Sequence, residues 1–125
     1  MRGGEYLSKT EQYASVYNDG GAKTNTLLVM RFLANGLSQS RYGFSISRRV
    51  GIAVTRNRLK RRLRQILHQM PLKEGWDIVF IARQAAGRAK YGTLRESVFK
   101  LLSRASLVPP GEQYEAAGSA GISRN

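Results

Sequence analysis

Six cations crowd into nine residues. The run Arg56-Asn57-Arg58-Leu59-Lys60-Arg61-Arg62-Leu63-Arg64 holds Arg56, Arg58, Lys60, Arg61, Arg62 and Arg64. A guanidinium presents a planar fork of N–H donors that matches the oxygens of a phosphate. Leu59 and Leu63 stand four apart, which places the run on a helix with its cations on the outward circumference. Asn57 shares that polar face, where an amide can read a base or a sugar. Arg48 and Arg49 lie just upstream and extend the patch. Thr55 reads as the N-cap, with Val54 packing on Leu59 as a staple. The first helical turn then carries Arg56 and Arg58, where the helix dipole disfavours cations. A sequence that breaks this rule repeatedly points to function rather than stability.

The surrounding charge has the same sign. No acidic residue occurs between Asp19 and Glu74, while that interval holds Lys23, Arg31, Arg41, Lys73 and every cation named above. The whole chain has 21 Lys+Arg against 8 Asp+Glu, a formal +13. Such a field attracts polyanions.

Catalytic constellations are missing from the pattern. His68 is the only histidine, and it falls on the polar side of the helix as a solvated residue. Asp19, Asp77 and Glu96 are isolated from one another. No acidic pair, no nucleophile beside a base and no glycine-rich phosphate loop is present. Cysteine is absent, which excludes disulfides, thiol catalysis and cysteine-based zinc sites. No catalytic and no metal-ligating residue is therefore assigned. An RNA-binding module such as a ribosomal protein fits the charge. A protein-only nuclease needs clustered carboxylates that this basic half lacks. A helix-turn-helix DNA binder needs two adjacent short helices, and here strands flank the basic one.

The elements that position these residues are legible in outline. The chain has 125 residues, the size of one domain. Ser8-Lys9-Thr10-Glu11 has capping-box spacing for a first helix carrying Tyr13 and Tyr17 on one face, ended by Asp19-Gly20-Gly21. Thr26 to Ala34 is an apolar strand. Arg41 to Ser47 alternates Tyr42, Phe44 and Ile46 against Arg41, Gly43 and Ser45, and the two read as a hairpin with a longer loop. The second helix runs from about Arg56 to Met70, with Leu59, Leu63, Ile66, Leu67 and Met70 in one arc. Trp76 to Ala82 is apolar on both faces, as in a covered strand. Thr93-Leu94-Arg95-Glu96 is a second capping box, opening a third helix that Pro109-Pro110 stops. Tyr42, Phe44, Trp76 and Phe80 read as core. The order is helix, two or three strands, helix, strand, helix, which gives a two-layer α/β sandwich around a small sheet. Residues 1–108 form the domain, and the Gly-, Ala- and Ser-rich stretch 109–125 reads as a disordered tail. No run approaches a membrane span, and no secretory signal is visible at the start.

The stretch Gly43 to Arg64 resembles the protein component of bacterial ribonuclease P. That family's hallmark is a Ser-basic-basic-aliphatic-Gly-x-Ala-Val-x-Arg-Asn-Arg-x-Lys-Arg run followed three residues on by Arg. Ser47-Arg48-Arg49-Val50-Gly51-Ile52-Ala53-Val54-Thr55-Arg56-Asn57-Arg58-Leu59-Lys60-Arg61, with Arg64, carries every element. Leu7 to Tyr17 and the strand ending Ile81-Ala82-Arg83 extend the likeness over about residues 7 to 108. Ile52 stands where the family often has a polar residue, and Arg31 where some relatives have an aromatic. The resemblance implies a four-stranded sheet with a left-handed crossover around the second helix. It implies a cytoplasmic ribonucleoprotein with no obligate protein partner, in which a catalytic RNA performs the chemistry with Mg²⁺ that it mainly holds itself. The holoenzyme removes the 5′ leader of precursor tRNA. Arg48, Arg49, Arg56, Asn57, Arg58, Lys60, Arg61 and Arg64 would bind RNA. Tyr13 and Tyr17 would line a leader cleft between the first helix, the sheet and the second helix.

Overall fold

The computed structural model describes residues 6–108, so the proposed tail at 109–125 lies outside the described residues. Seven main elements follow in order: α1 Thr10–Asp19, β1 Gly21–Thr24, β2 Leu28–Ala34, β3 Arg41–Ser45, α2 Ala53–His68, β4 Trp76–Ala82 and α3 Tyr91–Arg104. Short 3-10 turns at Arg48–Val50 and Gln84–Arg88 follow β3 and β4.

The four strands form one sheet in the order β1-β2-β4-β3. The expected β2–β3 hairpin does not form. β4 enters between them, antiparallel to β2 and parallel to β3. The reason lies in the strand sequence itself. Ile78 and Phe80 on one face of β4 and Val79 on the other are all fully buried, and only a central strand is covered that way. The 35–40 loop then straps the entrance of β4. Asn35 N–H donates to Gly75 O at 2.8 Å, and Trp76 N–H donates to Ser40 Oγ at 3.0 Å. β3, α2 and β4 make a parallel crossover unit.

β1 is a strand that the sequence outline leaves open. Its Gly-Ala-Lys-Thr shows no clear alternation, and it forms by pairing with the outer edge of β2. β2 starts later than expected because the Asn25 side chain accepts from the N–H groups of Leu27 and Leu28 at 3.1 and 3.0 Å, holding that stretch as a turn.

The larger core joins Leu28, Met30, Ile78 and Phe80 of the sheet to Leu59, Leu63, Ile66 and Leu67 of α2 and Leu94, Val98, Leu101 and Leu102 of α3. The smaller core joins Val16 of α1 and Leu7 to Val79, with Tyr13, Leu33 and Ile81 against them. Residues 78 and 80 face one way and 79 and 81 the other. The α/β sandwich thus has α1 on one face of the sheet and α2 with α3 on the opposite face, where the element order read as two layers.

The helix ends differ from the motif reading in three places. At α1 the Gln12 side chain, not Glu11, reaches back and accepts from the N–H groups of Ser8 and Lys9 at 2.8 and 3.0 Å. α2 begins at Ala53 with Ile52 at the cap, so Thr55 lies inside the helix, and Val54 is 69% exposed rather than stapled. A Cβ on Gly51 would stand 2.9 Å from Thr55 Cβ, so glycine lets the chain turn in close against that first turn. α3 begins at Tyr91, which leaves Thr93 and Glu96 within it; Glu96 instead faces Lys100 one turn on, at 3.8 Å. α3 ends before the prolines. Ser106 takes a left-handed φ of 59°, and Leu107 N–H donates to Leu102 O at 2.8 Å, a Schellman-type stop that buries Leu107.

Candidate RNA-binding surface

α2 is held by an apolar stripe, and its remaining circumference carries the cations. Leu59, Leu63, Ile66 and Leu67 are buried, while Asn57, Arg61 and Arg64 are exposed. Arg58 and Lys60 are half-buried on the two flanks of the helix. Because the helix starts at Ala53, the first turn is Ala53-Val54-Thr55, and the cations begin one turn deeper than the motif reading placed them. The dipole penalty falls off within that turn, so the expected cost to Arg56 and Arg58 shrinks.

Arg56 is partly committed within the fold. Its Nε donates to Gly51 O at 3.0 Å, tying the helix to the incoming turn. Arg48 and Arg49 are exposed on the 3-10 turn before α2, where Ser47 Oγ accepts from Arg49 N–H at 3.3 Å. Arg64 extends toward the β3 edge, its Cζ 5.3 Å from the centre of the Tyr6 ring. Tyr6 meets Tyr42 edge-on at 6.3 Å, and Leu7 N–H donates to Tyr42 O at 2.7 Å. Sequence reasoning passed over Tyr6, which has no periodic neighbour to mark it. Arg62, on the other flank, leans toward Ala89 O at 3.5 Å.

The tyrosines sit elsewhere. Tyr13 and Tyr17 share one side of α1, but α1 and α2 occupy opposite faces of the sheet. α2 is therefore not the facing wall of a cleft over the tyrosines, as the resemblance implied. Tyr13 packs the hydroxyl end of its ring against Gly43 of β3. A Cβ there would fall 2.5 Å from its hydroxyl, so only glycine admits the ring. Burial pushes the Tyr13 phenol above the ordinary tyrosine value, partly offset by a hydrogen bond with the Phe44 backbone and reinforced by Tyr17. Tyr17 is 37% exposed. Arg31 of β2 stands beside it, its Cζ 5.9 Å from the ring centre and one terminal nitrogen donating to Tyr17 O at 2.7 Å. Beyond the tyrosines the same sheet face continues as the cross-strand row Ser45, Ile81, Val29 and Thr24. Arg31 is a cation on this face that the sequence marked only as a departure.

Comparison with known proteins decides the family. The model of the family described as Ribonuclease P matches residues 1–106. The chain belongs to the ribonuclease P protein family. A ribonuclease P protein component of Dehalococcoides mccartyi (strain CBDB1) is 44% identical over 108 residues, covering 86% of this chain and 90% of the relative. One from Caldanaerobacter subterraneus subsp. tengcongensis is 38% identical over 109 residues, covering 86% and 94%. The solved RNase P protein of Staphylococcus aureus superposes with a TM-score of 0.77 at 27% identity, covering 84% of this chain and 98% of that one. The Thermotoga maritima protein gives 0.71 at 32%, covering 80% and 96%.

Membership makes this chain the protein subunit of ribonuclease P, an RNA-binding partner of ribonuclease P RNA in tRNA processing. The holoenzyme is an endoribonuclease that removes the precursor leader, and the RNA carries the catalysis. The ribosomal-protein alternative falls with that assignment. Among the described residues, no helix is long and apolar enough to cross a membrane.

Proposed function

We propose that the chain uses its two sheet faces for two RNA tasks. The surface formed by Arg48 and Arg49, leading into Arg56, Asn57, Arg58, Lys60, Arg61 and Arg64 of α2, grips the catalytic RNA through its phosphates. The opposite face, with Tyr13 and Tyr17 beside the open strand row, takes the single-stranded leader of precursor tRNA. The carrying observation is the separation of these groups: a continuous cationic helix on one side, and an exposed tyrosine beside a cation on the other. Phosphate contacts position a protein on RNA, and aromatic faces hold unpaired bases. The cytoplasm is where this reading places the complex.

Mg²⁺ belongs to the RNA in this reading. Among the described residues, no three of His, Asp and Glu come together, and the cationic surface repels a divalent ion. The chain's own residues therefore bind and orient the substrate, and no step of the chemistry is assigned to them.

The deciding experiment compares precursor tRNA processing by RNA-free protein, by the catalytic RNA alone and by both together at low Mg²⁺. Processing only when both are present is the expected result. Specific cleavage by nuclease-treated protein alone would overturn the division of labour.

The two tyrosines separate by their surroundings. Stacking on an aromatic is worth about 1–3 kcal/mol per base. Tyr17→Leu should weaken binding of leader-bearing precursor within that range and leave mature tRNA unaffected. Tyr13→Leu should have the smaller effect on leader binding, because its ring is half-buried with its hydroxyl end packed on Gly43, and the larger effect on thermal stability. Equal losses for precursor and mature tRNA would remove Tyr17 from the leader path.

A further inference from the structure

At the sheet edge farthest from β3, two arginines from different elements converge on one residue. Arg83, just past β4, donates through Nη1 to Thr24 Oγ1 at 3.3 Å and to Asn25 O at 3.4 Å. Arg104, in the last turn of α3, donates through Nη1 to Thr24 O at 3.0 Å. Both side chains are exposed, and no carboxylate accompanies them among the described residues. Bringing two guanidinium groups to one threonine costs mutual repulsion, so tying down a surface turn is a poor reason for both.

The geometry of the forks points to a ligand. Each arginine uses only Nη1 on the protein, and its Nε and Nη2 make no hydrogen bond within the described residues. That free edge is the one that pairs with two oxygens of a phosphate. Anchoring through Nη1 removes much of the side-chain freedom that a phosphate contact would otherwise cost. Lys23 flanks the pair on β1. Thr24 also closes the strand row that starts beside the tyrosines, so an RNA strand crossing that face would arrive here.

We propose that Arg83, Arg104 and Thr24 form a second phosphate-binding site, separate from α2, that takes the backbone of an RNA strand. The phosphates come from one of two sources: the far part of the leader, or a segment of the catalytic RNA. The inference rests on the chain's RNA-binding role but not on the assignment of α2.

The test measures affinity of the full-length chain against KCl concentration, using three probes: ribonuclease P RNA, and holoenzyme binding of long-leader precursor and of mature tRNA. Two variants are compared. Arg83→Gln with Arg104→Gln removes the forks. Thr26→Glu with Ser103→Glu instead adds exposed negative charge beside them and removes none of the scaffold hydrogen bonds. The salt slope should become shallower by about 1 for each arginine lost, and the second variant should weaken the same probe. A change confined to long-leader precursor assigns the site to the leader; a change with ribonuclease P RNA assigns it to that RNA. Unchanged slopes for every probe in folded variants overturn the proposal, while an α2 variant measured in parallel shows whether RNA binding itself behaves as described. If the double glutamine variant does not fold, the glutamate variant decides.

Discussion

Replacing Lys60, Arg61 and Arg64 together by alanine should lower affinity for ribonuclease P RNA roughly a hundredfold, from about 1 kcal/mol per cation. The salt slope should become shallower by about 3. Arg61 and Arg64 sit on the outer face of α2 and Lys60 on its flank, and among the described residues their side chains make no hydrogen bond; Arg64 would lose its contact with Tyr6. Alanine is the best helix former, so the helix should persist. Arg56 is a poorer probe despite its place in the motif, because its truncation also releases Gly51 O. The measurement is a binding titration at several salt concentrations, with circular dichroism confirming the fold. An unchanged slope in a folded variant would make this face merely solvated and transfer the main RNA contact elsewhere.

How far the sequence led can be judged on α2 and β4. The stripe Leu59, Leu63, Ile66, Leu67 and Met70 is buried as its spacing required, because helical periodicity depends on local geometry alone. β4 was legible as a covered strand for the same kind of reason. What β4 is covered by was not. Pairing β2 with β3 follows from their adjacency in the chain, and nothing local reports that a strand arriving some thirty residues later divides them. The side of the sheet taken by α1 was equally hidden. It depends on Gly43 leaving room for Tyr13, and a lone glycine in an alternating strand does not name its partner. The cap readings failed in two ways: Gln12 took the place of Glu11 as the residue that reaches back, and α3 starts at Tyr91, ahead of Thr93, with no side-chain cap. For the proposed binding surface, the cations of the motif were evident from type and spacing. Arg31, Arg83 and Arg104 were not, since each acquires its meaning from a residue far away in sequence.

The strand order itself rests on a further arginine outside the motif. Arg41 on β3 binds Asp77 on β4 in a bidentate pair, Nε to Oδ1 at 2.9 Å and Nη2 to Oδ2 at 2.7 Å. Asn35 adds a donor to Oδ1 at 2.9 Å from the end of β2. One carboxylate thus joins three strands at the entrance of β4, in the register that sets Arg41 opposite Asp77. The side chains are 21% and 7% exposed, so the pair is largely removed from water. Its hydrogen bond to Asp77 raises the Arg41 pKa above its ordinary value, against a desolvation that lowers it and with the pair's attraction helping. A raised folded-state pKa on a base contributes stability that is present below the unfolded value, so this contribution persists throughout the neutral range. Asp77→Ala strands the guanidinium and the Asn35 amide together. It should cost about 3 kcal/mol, the lower end for breaking a buried pair, since Arg41 keeps some water. Arg41→Ala should cost less, because the Asn35 donor still serves the carboxylate. The double variant should fall well short of the sum of the two, a coupling that urea unfolding of all four proteins would read. Strict additivity would mean that β3 is held against β4 by its backbone ladder and by Tyr42 and Phe44 alone.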